Sequence, residues 1–84
     1  MQVKTVCTTR IAAEMNSNDT FNQFVLDSIY HHLSGDWGDV SIIDANRNTA
    51  DPLNALSIYT AHDGVKIWVK QDYNILTVAF SDEY

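Results

Sequence analysis

The feature of this sequence that most constrains its fold is a run of apolar residues at helical spacing. These residues recur every four positions, at Phe21, Val25, Ile29 and Leu33. The spacing places them on one face of a helix, and that face has to be buried against a core. Thr20 and Gln23 fit a capping box at the start of this helix, and Gly35 is a candidate for its end. We therefore predict a long amphipathic helix that packs on the rest of the chain.

The last third of the sequence alternates apolar and polar residues, which is typical of strands that bury one face. Three such stretches cover residues 56–60, 65–70 and 75–80, and the Asp63-Gly64 pair between the first two favours a hairpin turn. Shorter patterns predict a strand at residues 3–8 and a helical turn at 11–15. A capping-box variant at Ser41-Ile42-Ile43-Asp44 predicts a short helix that runs to about Asn48. We predict an α+β fold, in which an N-terminal strand and helices pack on a C-terminal three-stranded antiparallel meander. Because 84 residues suffice for one core only, we expect residues 1–84 to form a single domain.

The parity of the strands divides the predicted sheet into two faces. The residues expected to pack on the long helix are Leu56, Ile58, Val65, Ile67, Val69, Leu76, Val78 and Phe80. Tyr59 and Trp68 would then share the opposite face as an exposed aromatic patch, which is typical of a protein interface. The alternative is that the N-terminal strand or a loop covers this patch.

Charge narrows the classes of partner. Eleven acidic and five basic residues give a net charge of −6, and the basic residues are spread singly along the chain. A protein that binds nucleic acid directly needs a basic patch to displace counterions from the phosphates, so we expect no direct nucleic-acid binding. The acidity either serves solubility alone or forms a surface that docks on a basic site of a protein partner.

The number of cysteines and the hydropathy of the sequence indicate the cellular compartment in which the protein works. Cys7 is the only cysteine, so no internal disulfide can form, and no apolar run is long enough to cross a membrane. We therefore expect a cytoplasmic protein with no membrane association. Cys7 lies in an alternating stretch, which favours a buried structural thiol over a reactive one.

The candidate catalytic residues are few. Asp36, Asp39 and a histidine would be the minimum for a small metal-dependent hydrolase. However, His31 and His32 are adjacent and would point about 100° apart on a helix, which does not suit chelation of one metal ion. The two aspartates lie in a glycine-containing turn, where aspartate commonly accepts hydrogen bonds from its own backbone. We predict no enzyme, no metal and no cofactor.

One motif carries a family resemblance. Gly35-Asp36-Trp37-Gly38-Asp39 is followed by Asp44 and Asn48, then by the strand and turn patterns that end at Asp82-Glu83-Tyr84. In this respect the chain resembles a family of small, functionally uncharacterised bacterial proteins found on chromosomes, plasmids and phages, some of them labelled plasmid-related or restriction-associated. It departs from that family at Ile42-Ile43, where relatives tend to have an acidic pair, and this apolar pair would widen a contact surface.

From these observations we expect a non-enzymatic, acidic protein-binding module. The resemblance and the charge together favour a phage or other mobile-element inhibitor of a host nucleoprotein defence complex, such as a CRISPR effector (an anti-CRISPR protein) or a restriction enzyme. The alternative is a housekeeping bacterial adaptor or complex subunit of the same small family. The residues predicted to contact the partner are Tyr59, Trp68, Asp36, Asp39 and Ile42.

Overall fold

The structure is a computed structural model that describes residues 2–84, and it has three α-helices and four strands. The strands are β1 (Lys4–Cys7), β2 (Leu56–Thr60), β3 (Lys66–Asp72) and β4 (Ile75–Phe80). The helices are α1 (Thr9–Ser17), α2 (Asp19–Leu33) and α3 (Ile42–Ala50), and two 3₁₀ turns cover Pro52–Asn54 and Ser81–Glu83. The α+β prediction is confirmed.

The sheet differs from the predicted one by an additional strand. Its order is β1-β4-β3-β2, and the last three strands form the expected antiparallel meander. The N-terminal strand β1 pairs in parallel with β4, with Lys4 opposite Ile75 and Cys7 opposite Val78. The strand thus extends the sheet sideways instead of packing on one of its faces. Cys7 is half-buried on the core side, and burial raises the pKa of its thiol.

Polar side chains fix the start of each helix. The Thr8 hydroxyl caps α1, the Asn18 amide caps α2 and the Ser41 hydroxyl caps α3, each by accepting a hydrogen bond from a backbone N–H. The capping box predicted at Thr20 is not used, because α1 continues to Ser17 and leaves Asn18 as the single residue between the two helices. The helix α2 therefore begins at Asp19, two residues before Phe21, the first residue of its apolar stripe.

The core lies between the sheet and the first two helices. One cluster of buried side chains joins both layers, with Ile11, Phe21 and Val25 from the helices and Tyr59, Ile67, Val69, Leu76 and Val78 from the sheet. The β3 and β4 residues of this cluster are among those predicted for the core face. The helix layer thus covers one face of the sheet.

The predicted parity of β2 is wrong. Tyr59 pairs with Ile67 and Ser57 pairs with Val69, so Ser57 and Tyr59 face the core, while Leu56 and Ile58 lie on the outer face. Ser57 is fully buried and Tyr59 is 7% exposed. Both hydroxyl groups have partners inside the protein, which offsets the cost of burying them. Tyr59 and Trp68 therefore lie on opposite faces and form no common patch.

Candidate functional site

The Gly-Asp-Trp-Gly-Asp motif covers the free edge of β2. Gly38 forms a parallel bridge with Ile58, whose backbone N–H donates to the Trp37 carbonyl (3.2 Å) and whose carbonyl accepts from the Asp39 N–H (2.7 Å). The Thr60 hydroxyl donates to the Asp39 carboxylate at 2.7 Å. A bare strand edge is a template for pairing with another chain, and these contacts occupy it.

Asn48 of α3 continues the same cover. Its side-chain amide donates to the Leu56 carbonyl (2.8 Å) and accepts from the Leu56 N–H (3.2 Å), which imitates the pairing of a neighbouring strand. Asn48 is 6% exposed. The outward backbone groups of Leu56 and Ile58 are therefore all satisfied. Sequence reasoning missed this role, because the asparagine and the strand are joined only by the fold.

Trp37 of the motif links two helices. Its ring meets His32 of α2 edge-on at a centroid distance of 5.3 Å, and its indole N–H donates to the Thr49 hydroxyl of α3 (3.1 Å). The side chain is half-buried. Its role in this structure is to hold α3 beside the end of α2.

His32 lies at the centre of a buried polar network. It is 2% exposed; its Nδ1 lies 2.6 Å from the Ser57 hydroxyl and its Nε2 lies 2.9 Å from the Gln71 carbonyl oxygen. The Gln71 amide nitrogen donates to the Tyr73 carbonyl, so its oxygen accepts from Nε2–H and Nδ1 accepts from Ser57. Burial lowers the pKa of His32, which favours the neutral ring, and the hydrogen-bond partners select its tautomer. A hydroxyl beside an imidazole also occurs in nucleophilic catalysis, but a fully buried Ser57 is closed to substrates.

Tyr59 is a core residue, only 7% exposed, at the wall of the cleft that it shares with Asp36 and Asp39. Its hydroxyl donates to the Asp36 carbonyl, which connects the sheet to the motif. Burial raises the pKa of Tyr59 to about 12. The predicted exposure of this residue is therefore wrong, because the register of β2 turns it toward α2.

Trp68 lies on the outer face, as predicted, but it is half-buried there rather than exposed. Its ring lies 4.8 Å from the ring of Tyr84, and its strand neighbours are Ile58 and Ala79. The residues flanking it on the same face of β3 are Lys66 and Lys70. The surroundings of Trp68 on its strand are thus basic, and most of the acidic residues gather elsewhere.

Acidic residues collect on the helix side, around the half-buried ring of Phe24. Three adjoining clefts share Phe24, and six of the eleven acidic residues of the chain line them: Glu14, Asp19, Asp27, Asp36, Asp39 and Asp63. None of the five lysines and arginines lines these clefts. We call this surface the acidic face.

Few of these carboxylates are neutralised. Across residues 2–84 the lysine and arginine ion pairs involve Asp44, Asp72, Asp82 and Glu83, all outside the acidic face. Within the face, Asp36 lies 3.4 Å from His31 Nδ1. The acidic face therefore carries a concentrated negative charge. The net charge of −6 does not by itself require the carboxylates to gather on one side of the protein.

The other residues predicted to contact a partner lie in different parts of the fold. Asp36 and Asp39 belong to the acidic face, and Ile42 is the first residue of α3, where it is 81% exposed beside Ile43 at 71%. Within the described residues no three His, Cys, Asp or Glu side chains are grouped so that they could hold a metal ion. The structure thus brings the two aspartates together at one cleft, where Tyr59 forms part of the wall, and it places Trp68 on the other face of the sheet.

Comparisons with protein-family models, curated proteins and solved structures find no match to this chain. The resemblance carried by the Gly-Asp-Trp-Gly-Asp motif therefore stays a prediction. Between residues 2 and 84, none of the helices combines the length and the apolar character needed to cross a membrane.

Proposed function

We propose that this protein is a non-enzymatic binding module whose acidic face docks on a basic surface of a protein partner. The observation that carries the proposal is the segregation of charge: six carboxylates and no lysine or arginine line the clefts around Phe24. Such a field raises the association rate with a positively charged surface and disfavours acidic partners. It also repels phosphates, which is consistent with a protein rather than a nucleic acid as the partner.

The partner class that best suits this surface is a host nucleoprotein defence complex, such as a CRISPR effector or a restriction enzyme. These machines hold nucleic acid in positively charged channels. An acidic module seated in such a channel would compete with the nucleic acid and inhibit the machine. Phage or mobile-element origin is part of this proposal and rests on the family resemblance. The second candidate is a housekeeping adaptor that uses the same face to join a bacterial complex.

The test compares two triple variants with the same change in net charge. Asp27→Asn, Asp36→Asn and Asp39→Asn remove charge from the acidic face, while Asp44→Asn, Asp72→Asn and Asp82→Asn remove it elsewhere. Binding to a panel of purified guide-loaded CRISPR effectors and restriction enzymes is measured by interferometry at low and at physiological salt. We expect the first triple to weaken binding about tenfold or more, mainly through a slower association rate, and the second to change it little.

Two results decide between the candidates. Loss of binding when the effector is preloaded with target DNA supports an inhibitor, because both ligands then need the same channel. Binding to a bacterial complex that persists in the presence of its nucleic acid supports the adaptor. Equal effects of the two triples at both salt concentrations would refute docking through the acidic face.

A further inference from the structure

The helix α2 has a second apolar stripe that the core does not use, and Leu33, which was expected on the buried face, belongs to it. Leu26, Tyr30 and Leu33 are 47%, 69% and 53% exposed, and they follow one another at i, i+4 and i+7. This spacing aligns them in a ridge about 10 Å long on one side of the helix. Large apolar side chains grouped on a surface are typical of an interaction site.

The core accounts for a different side of the same helix. The buried residues of α2 are Phe21, Val25, Ser28 and His32. Leu26 and Leu33 each follow a buried residue by one position, and Tyr30 lies two positions from both Ser28 and His32. One position is about 100° on a helix, so the stripe points well away from the sheet. The stripe therefore contributes little to the core, and packing within this protein does not account for its three apolar side chains.

The stripe borders the acidic face. Asp27 follows Leu26 and precedes Tyr30 by three positions, which makes it a helix-surface neighbour of the Tyr30 ring. Asp27 also lines the Phe24 cleft together with Asp36 and Asp39. His31, next on the helix, pairs with Asp36 and lies 6.1 Å from the Tyr30 ring. An apolar ridge thus runs along the rim of a negatively charged surface.

We propose that this stripe docks an amphipathic helix of the partner, with the apolar side of that helix on Leu26, Tyr30 and Leu33 and a row of Lys or Arg on its flank facing Asp27. The proposal rests on the proposed function and specifies the element recognised. A helix presents apolar residues at the same i, i+4, i+7 spacing, so two such ridges pack along their length. The apolar contacts would hold the complex, and the carboxylates would select and orient a basic partner.

Charge argues against a second copy of this chain as the occupant. If α2 paired with α2 of another copy, Asp27 of each copy would lie near the other stripe, and two acidic faces would be brought together. Two molecules of net charge −6 repel each other, and three side chains per copy are few for a stable dimer, which buries about 1,200–2,000 Å². A basic partner helix meets the same surface without this repulsion.

The experiment uses two designed peptides of about 18 residues, long enough to be helical. Both have leucines on one face, and they differ only in their flanks, which carry lysines in one peptide and glutamates in the other. Binding to the fluorescently labelled peptides is measured for the wild type and two variants. One variant has Leu26→Gln, Tyr30→Gln and Leu33→Gln; the other has Tyr73→Gln and Ile75→Gln, which are 67% and 42% exposed and lie at the turn between β3 and β4. Amide chemical shifts of the labelled protein locate the contact.

We expect the lysine peptide to bind, with shifts centred on Leu26, Tyr30 and Leu33, and the glutamate peptide to bind at least tenfold more weakly. The stripe variant should lose at least tenfold in affinity, and the Tyr73/Ile75 variant should bind like the wild type. Thermal unfolding of each variant checks that the exposed substitutions leave the fold intact.

Four outcomes overturn the proposal. They are no binding of the lysine peptide, equal binding of both peptides, unchanged binding by the stripe variant, and a wild-type dimer in sedimentation that the stripe variant abolishes. A separate result refutes the proposed function, namely partner binding that is unchanged when the charges of Asp27, Asp36 and Asp39 are removed. A complex that depends on those charges but not on the stripe would refute the helix docking alone.

Discussion

Replacing Gly38 with alanine tests whether the Gly-Asp-Trp-Gly-Asp motif is an edge cover for the sheet. Gly38 has φ +72, and a Cβ there would overlap the Ile58 carbonyl oxygen and come within 2.8 Å of the Tyr59 ring. Gly35 has a similar φ of +83, but a Cβ at that position meets nothing within 4 Å. Both variants therefore suffer the same backbone strain, and only one of them loses the contact with β2.

The expected magnitudes follow from these contacts. A left-handed backbone costs alanine about 1–2 kcal/mol, so Gly35→Ala should destabilise the protein by about that amount. In Gly38→Ala the segment also has to move off β2, which breaks two backbone hydrogen bonds with Ile58 and the Thr60–Asp39 bond. At about 1 kcal/mol for each bond, we expect a total loss of about 4 kcal/mol.

Urea and thermal unfolding followed by circular dichroism measure the difference. In a domain of this size 1 kcal/mol changes the melting temperature by about 4–8 °C, so the two variants should differ by more than about 10 °C. Equal losses in the two variants would show that Gly38 is needed only for its φ, and would refute the edge-cover interpretation. A Gly38→Ala variant that oligomerises would instead support it, since the uncovered β2 edge can pair with another chain.

Two further predictions concern the side chains around His32. Burial gives His32 a lower pKa in the folded protein than in the unfolded chain, so the unfolded chain binds more protons as the pH falls. The free energy of unfolding should therefore decrease as the pH drops below about 6.5, by at most about 1.4 kcal/mol per pH unit. His32→Gln should lose this slope in urea titrations across that range, and a slope that stays the same in the variant would contradict the assignment. Trp37→Ala should lower the free energy of unfolding by about 2 kcal/mol in the same assay. This is less than the 3–5 kcal/mol typical of a buried tryptophan, because the ring is half-buried. No change in the melting temperature would show that the contacts of Trp37 with His32 and Thr49 do not hold α3 in place.

Local patterns were sufficient to predict the helices and the meander. The four-residue spacing from Phe21 to Leu33 specified α2, and Asp63-Gly64 specified the β2–β3 turn, because both depend on neighbours in sequence. The parity of β2 could not be predicted in this way. It depends on where the Ser57 and Tyr59 hydroxyls find partners, and those partners, His32 and the Asp36 carbonyl, are 25 and 23 positions away.

The acidic face was only partly visible in the sequence. Asp36 and Asp39 stood out because they lie in one turn, whereas Glu14 and Asp63 reach the same surface from a helix and a hairpin loop. The net charge of the sequence indicated an excess of carboxylates but not where on the surface they lie. The adjacent histidines were equally ambiguous, since only the fold exposes His31 beside Asp36 and buries His32 beside Ser57.

The two motif aspartates serve the fold and the acidic face at the same time. Asp39 uses one carboxylate oxygen to accept from Thr60, and Asp36 accepts from the Gly38 N–H through Oδ1 while Oδ2 faces His31. Alanine at either position would remove a hydrogen bond of the edge cover together with the charge, so a loss of binding could not be separated from a loss of structure. Asparagine keeps the acceptor oxygen and removes only the charge. If the acidic face acts through its field, asparagine at these positions has to weaken binding while the melting temperature stays near that of the wild type.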